Sequence, residues 1–160
     1  MPPQRLGFDD IYPSGPHYSR GVRAGNTLYL SGCTANGSPA ENGSAMEQLD
    51  AILDRLVRMV ETEGGQAADI VKLTTFVAHP DEWFPFEGPQ VEIFTRHFGD
   101  QYPTNTMVGV QFLTDNVLLE IDAIAELPFY VPDRKSPEMV YLRERREALG
   151  GSVPQRAHRA

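Results

Sequence analysis

Apolar positions along the chain recur at two spacings, and each spacing predicts a kind of element. From Gly21 to Cys33 the reading is a β-hairpin. A short strand ends at Arg23, an Ala24-Gly25-Asn26 turn follows, and Thr27-Leu28-Tyr29-Leu30-Ser31 is rich in β-branched and aromatic residues. At Ser44 the spacing becomes helical. Leu49, Leu53, Leu56 and Val60 fall on one side, joined by Ile52 and Met59, and Gly64-Gly65 stops the run. Ser44 followed by Glu47 is a capping box, in which each side chain satisfies an otherwise free backbone N–H. Asp69 to Ala78 returns to alternation, with Val71, Leu73, Thr75 and Val77 on one side. After His79-Pro80-Asp81, Pro89 opens a second helix that presents Val91, Phe94 and Phe98 and ends at Gly99. Thr106 to Leu113 and Val117 to Ala125 read as two more strands, joined by a Thr114-Asp115-Asn116 turn. The Pro- and Gly-rich lead-in of residues 1–17 and the loop of residues 34–43 carry no periodic signal.

The order β-β-α-β-α-β-β predicts an α/β domain: a single mixed sheet with two helices on one face. Such a sheet leaves its other face bare, and self-association is the usual way to bury it. The pattern divides the chain into a domain of residues 1–127 and an extension of residues 128–160. In the extension, Ser136-Pro137-Glu138 starts a short helix, Arg143 and Glu147 stand four apart, and Gly150-Gly151 ends it.

Composition narrows the function classes. The 160 residues are 41% hydrophobic and 22% charged, which suits one globular domain with its own core. No apolar run approaches the roughly 18–20 residues that span a bilayer. Residues 1–10 hold no stretch of signal-peptide type. A cytoplasmic protein without a membrane partner is the expectation. With one cysteine and no metal-ligand spacing, neither a disulfide framework nor a metal is expected. The net charge of -8 is uneven. Residues 1–127 carry 7 Lys/Arg against 18 Asp/Glu, whereas residues 128–160 carry 7 against 4. An acidic body repels phosphate backbones and argues against broad nucleic-acid binding. The basic extension is expected to dock on an acidic body or to stay solvated.

One charged residue breaks the apolar pattern. Glu120 stands between Leu119 and Ile121 in the last strand, where a carboxylate is uncommon unless it is hydrogen-bonded or faces a cleft. In a cleft it can position or deprotonate water. The competing reading is an interface carboxylate paired with a neighbouring chain.

Four ordered stretches then resemble the Rid/YjgF (RidA-like) family, across roughly residues 15–127. They are Gly21-Val22-Arg23-Ala24-Gly25-Asn26 leading to Leu30-Ser31-Gly32, then Asp69 to Val77, then Tyr102-Pro103-Thr104-Asn105-Thr106, and finally Leu119-Glu120-Ile121-Asp122-Ala123-Ile124-Ala125. The resemblance implies a chorismate mutase-like fold and a homotrimer with clefts between subunits. It also implies hydrolysis of enamines or imines of small metabolites, with no cofactor. In that group an arginine clamps the substrate carboxylate, a glutamate orients water, and a tyrosine and a Ser-Gly strand end shape the cleft. Carried over, Tyr18, Ser31, Gly32 and Glu120 match, and Cys33 stands where glutamine is frequent. Asn105 replaces the arginine, and Gly88 stands where asparagine is common.

An Arg–carboxylate fork is bidentate and charge-assisted, and a neutral, shorter asparagine cannot reproduce it. Asn105 is therefore expected to hold a carbonyl, amide or hydroxyl, and Arg20 is the candidate for a substitute anion anchor. Cys33 has two readings: a small buried hydrophobe, or a nucleophile paired with His17. The expected catalytic residues are thus Glu120 and Cys33, and the substrate-binding residues are Tyr18, Arg20, Ser31, Gly32 and Asn105. The rivals to a hydrolase are a non-catalytic ligand-binding or regulatory trimer and a ribonuclease-like activity.

Overall fold

The computed structural model describes residues 2–128. The helix expected near residues 136–151, and the extension from residue 129 onward, lie outside the described residues. Within them the chain is mixed α/β: six strands in one sheet and two helices.

The strands are β1 (Gln4–Leu6), β2 (Gly21–Ala24), β3 (Thr27–Cys33), β4 (Ile70–Val77), β5 (Thr104–Gly109) and β6 (Leu119–Glu126). The helices are α1 (Ala45–Thr62) and α2 (Pro89–Phe98). Sheet order is β1-β2-β3-β6-β4-β5. Only the β4–β5 pair is parallel, and α2 supplies the crossover that a parallel pair requires. The last strand inserts between β3 and β4, so β5 and β6 are not sheet neighbours although they are consecutive in the chain.

Local chemistry explains the element ends. Ala24 pairs with Thr27 across a two-residue Gly25-Asn26 loop, and Gly25 sits at φ 64°, where a type II′ hairpin turn demands glycine. The capping box at α1 is present in full: the Ser44 hydroxyl accepts from the Glu47 N–H, and the Glu47 carboxylate accepts from the Ser44 N–H. Gly64, at φ 84°, lets the chain turn away after α1. Pro89 opens α2 and Gly99 follows its end.

The core lies between the helices and one face of the sheet. Leu49, Ile52, Leu53, Leu56, Met59 and Val60 of α1 are fully buried, with Leu28, Leu73, Val77, Leu119, Ile121 and Ala125 opposite them. Among the described residues no helix covers the other face. It carries Tyr29 (47% exposed), Val108 (41% exposed), half-buried Phe76 and Ile124, and also Glu120 and Asp122. The bare face expected from the element order is therefore a mixed apolar and acidic surface.

Four boundary and facing expectations need correction. Strand β1 lies inside the expected irregular lead-in; it is three residues long and owes its order to pairing with β2 (Gln4 to Arg23). Strand β5 starts two residues early and stops at Gly109, so Leu113 is fully exposed. Val71 does not share a face with Leu73, because a pairing irregularity between Ile70 and Lys72 puts Ile70 in the core and leaves Val71 41% exposed. In α2 the buried positions are Gln90, Ile93 and Phe98, while Val91 is 44% exposed.

One buried polar residue ties this frame to the end of the sheet discussed next. Gln48, 1% exposed, donates to the carbonyls of Glu41, Gly43 and Asn116 and accepts from the Leu118 N–H at 3.0 Å. It thereby fixes the start of β6, two residues before Glu120. The core and the cap predict separable costs on urea unfolding of the full chain. Leu56→Ala should cost about 2–5 kcal/mol through the cavity it leaves. Ser44→Ala should cost about 1 kcal/mol through the lost cap. Equal costs would contradict this division of labour.

Candidate active site

The site begins with a break in the rhythm of β3. Leu30 pairs with Ala123 and Cys33 pairs with Ile121, so three residue steps on β3 match two on β6. That bulge lets both Leu30 and Cys33 face the core, 4% and 0% exposed, and leaves Ser31 and Gly32 off it. Bulges of this kind re-aim side chains at sheet ends.

Glu120 crosses the sheet at the bulge. A Cβ placed on Gly32 would stand 1.9 Å from Glu120 Oε1, so the carboxylate occupies the space a side chain would fill. Glu120 is half-buried, and its carboxyl is pushed above the ordinary glutamate range, first by loss of water. The positive charge of Arg20 opposes that rise, and the neighbouring Asp122 adds to it.

The segment before β2 folds over the same strand end. The Ser31 hydroxyl donates to the Ser19 carbonyl at 2.8 Å, and the Ser31 N–H donates to the Arg20 carbonyl at 2.9 Å. Arg20 donates to the Gly32 carbonyl at 2.6 Å and to the Tyr18 hydroxyl at 2.9 Å. Tyr18 remains 45% exposed, with its ring edge-on to exposed His17 at 5.8 Å. Tyr18, Arg20, Ser31, Gly32 and Glu120 are thus one cluster within one chain.

Asn105 is elsewhere. It lies on edge strand β5 and accepts a 2.9 Å hydrogen bond from the Thr75 hydroxyl, which belongs to the helix-covered face. Glu120 pairs with Phe76 and leaves the sheet on the open face. Phe76 in turn pairs with Val108, three residues beyond Asn105. Asn105 and Glu120 are therefore separated by two strand spacings and three residue steps, roughly 10 Å in each direction. They share no small substrate within one chain.

Two expectations are corrected here. Cys33 is not presented as a nucleophile. It is fully buried among Leu28, Leu30 and Ile121, and burial pushes its thiol up to about 12, so it stays protonated at neutral pH. Its sulfur faces the Thr34 carbonyl at 3.7 Å, and exposed His17 pairs with Tyr18 instead. Arg20 is not a free anion anchor either, because it is 1% exposed and its fork is committed to the Pro13 and Gly32 carbonyls and the Tyr18 hydroxyl.

Sequence reasoning passed over two supports of the cluster. Tyr12 lies between two guanidiniums, Arg20 at 4.0 Å and Arg55 at 4.3 Å from its ring centre, and its hydroxyl meets Thr34 Oγ1 at 2.8 Å. Arg55 holds the carbonyls of Thr34 and Asn36. A signal existed: Arg55 falls three residues after Ile52 and four before Met59, inside the apolar stripe of α1.

The comparisons with known proteins meet this geometry. The sequence pattern of the family described as endoribonuclease L-PSP matches residues 10–127, the stretch that holds strands β2 to β6, both helices and the cluster. The chain belongs to that family, the YjgF/RidA family. It is 31% identical to TdcF of Escherichia coli K12, named as a candidate reactive intermediate deaminase, over 69% of this chain and 86% of that protein. It is 28% identical to the 2-iminobutanoate/2-iminopropanoate deaminase of Dermatophagoides farinae, over 78% and 97% respectively. A Mycobacterium tuberculosis member of the YjgF/YER057c/UK114 family has the same fold, with a TM-score of 0.64 at 24% identity, over 79% of this chain and all of that one.

The open face of the sheet carries Glu120 and is the candidate working surface of this YjgF/RidA chain. A separate shallow groove of about 520 Å³ lies on the helix layer, between Asp50, Asp54, Arg96 and His97, and contains none of the predicted site residues. Among the described residues no group of acidic, histidine or cysteine side chains could hold a metal, and no helix is long and apolar enough to cross a membrane.

Cys33 gives a direct check. A thiol at about 12 is ionised to only about one part in ten thousand at pH 8. Native protein should resist a maleimide or disulfide reagent at that pH and react fully once unfolded in guanidinium. Rapid labelling of the native thiol would return Cys33 to the list of reactive groups.

Proposed function

We propose that this chain is a cofactor-independent, deaminase-like hydrolase of an enamine, imine or related C–N bond in a small metabolite, working in clefts between the subunits of a homotrimer. The observation that carries the reading is Glu120: a half-buried carboxylate with a raised pKa, laid across Gly32 at a strand bulge to which Arg20 ties Tyr18. A carboxyl moved toward neutrality is suited to pass protons in both directions.

In this reading, water sits between Glu120 and the C=N carbon of the substrate. Glu120 takes a proton from water as oxygen bonds to that carbon. Glu120 passes that proton to nitrogen to give a carbinolamine, then carries the carbinolamine hydroxyl proton to the same nitrogen as the C–N bond breaks, so ammonia leaves and C=O forms. The Tyr18 hydroxyl, held by Arg20, borders the same space.

Asn105 of a neighbouring chain completes the cleft. The separation of Asn105 and Glu120 within one chain supports a site built from two chains, and the uncovered face carrying Tyr29, Phe76, Val108 and Ile124 supports the assembly. Because Thr75 donates to the Asn105 amide oxygen, the amide nitrogen is left as the free donor. It suits a carbonyl, amide or hydroxyl oxygen of the substrate better than a bare carboxylate. The substrate class is therefore an imine or enamine whose far end is uncharged.

A specific observation also favours the second reading, a ligand-binding trimer without turnover: the position of the family's clamp arginine holds an uncharged asparagine. Kinetics separate the two. Imines generated in situ should be lost faster with the wild type when the carboxylate is replaced by an amide than from 2-iminopropanoate itself, and Asn105→Arg should reverse that preference. Glu120→Gln should lower either rate by about 10²-fold or more. The acid limb of the rate profile should lie above the ordinary glutamate range, because only ionised Glu120 accepts the proton. Saturable binding with no acceleration by wild type or Asn105→Arg would support the binding protein and contradict the hydrolase. Sedimentation equilibrium should give three times the 17.8 kDa chain mass, and a monomer would contradict the composite cleft.

A further inference from the structure

Arg20 and Arg55 are buried cations, 1% and 8% exposed, in a body whose ion pairs use other groups. Among the described residues the salt bridges involve Arg23, Arg58, Arg96 and His97. A guanidinium taken out of water needs compensating partners, and here these are oxygens and rings rather than a contacting carboxylate.

The partners of Arg20 are specific. Its Nε and Nη2 both donate to the Pro13 carbonyl, at 3.2 and 2.9 Å, Nη1 donates to the Gly32 carbonyl, and Nη2 also donates to the Tyr18 hydroxyl. Its plane lies 4.0 Å from the Tyr12 ring centre and 5.2 Å from that of Tyr18. Four of the five guanidinium donors are accounted for. One side chain thus joins the lead-in, the tyrosine of the cluster and the bulge across which Glu120 lies. Lysine has three donors on one point and cannot copy that fork.

The charges around Glu120 can be named element by element. Asp122 follows it on β6, and β3 brings the Cys33 thiol, which is neutral. On β4, Phe76 and Thr74 carry no charge, and Lys72, farther along, is bonded to the Leu73 carbonyl and Thr106. The lead-in brings Tyr18 and Arg20. Arg20 is the cation whose field lowers the Glu120 carboxyl.

We propose that Arg20 is the positioning residue of the Glu120 cleft, fixing the Tyr18 hydroxyl and the Gly32 end of β3 while supplying the positive charge that faces the Glu120 carboxylate. It acts through these groups and touches no substrate. The kinetic part rests on the hydrolase reading; the electrostatic part does not.

The test titrates the Glu120 carboxyl by carbon-13 NMR in the full chain, with Arg20→Gln, Arg20→Lys and Asp122→Asn beside the wild type. Removing a facing cation disfavours the carboxylate, so Arg20→Gln should move the midpoint further up. Removing a facing anion should move it down in Asp122→Asn. Arg20→Lys keeps charge without the fork, so its midpoint should stay near that of wild type while kcat on the best imine falls about tenfold or more at little-changed KM. A folded Arg20→Gln with an unmoved midpoint overturns the proposal. If Arg20→Gln does not fold, Arg20→Lys decides: a folded Arg20→Lys with wild-type kcat, or with its midpoint moved well away from that of wild type, overturns it. Absence of imine hydrolysis in the wild type would sink the hydrolase reading alone and leave the titration standing.

Discussion

Much of this fold follows from a sheet that, among the described residues, has helices on one face only. The helix-covered face is apolar and closed, with α1 burying six large side chains completely. The open face cannot be left in that state without cost, because Tyr29, Phe76, Val108 and Ile124 stand on it beside Glu120 and Asp122. A surface that is half core and half carboxylate suits a partner that buries the rings yet leaves the acids a wet recess. In the proposed trimer the partner is a second copy, and the recess is the cleft.

The strand bulge converts that constraint into chemistry. Without it, alternation would send either Leu30 or Cys33 out of the core; with it, both stay inside and Ser31-Gly32 forms a flat lip under Glu120. The lip is held from behind by guanidiniums, Arg20 on the Gly32 carbonyl and Arg55 on those of Thr34 and Asn36, with Tyr12 packed between them. Gln48 anchors the other strand of the pair from below. The cluster is therefore rigid where the proposed reaction needs it, and the exposed Tyr18 ring is its outermost part.

Much of the fold was legible because periodicity and punctuation agree. The capping box at Ser44, the Gly25-Asn26 turn and the Pro89–Gly99 bracket each name an element end by a mechanism, and each is where the chain turns. What failed to show were features that depend on a distant partner. Strand β1 needs β2, and the displaced facing of Val71 needs the pairing irregularity with β6. The geometry of the candidate site was not legible in the sequence. Glu120 lies against Gly32 and Arg20 ties Tyr18 to the Gly32 carbonyl, as spacing along the chain could not reveal, while Asn105 faces the other way. Arg20 and Cys33 drew attention as reactive types, yet burial gives one a supporting role and the other a packing role. The β3 bulge, which decides both, leaves no mark in composition.

The central claim is that Glu120 of one chain works against Asn105 of the next. The most direct measurement is crosslinking of a mixture of two single-cysteine variants, Asn105→Cys and Glu120→Cys, each in a Cys33→Ala background, with a short bismaleimide at low protein concentration. The account predicts crosslinked pairs only when the two variants are mixed and allowed to exchange subunits. Crosslinks equally abundant in the unmixed variants, or none in the mixture, would contradict it.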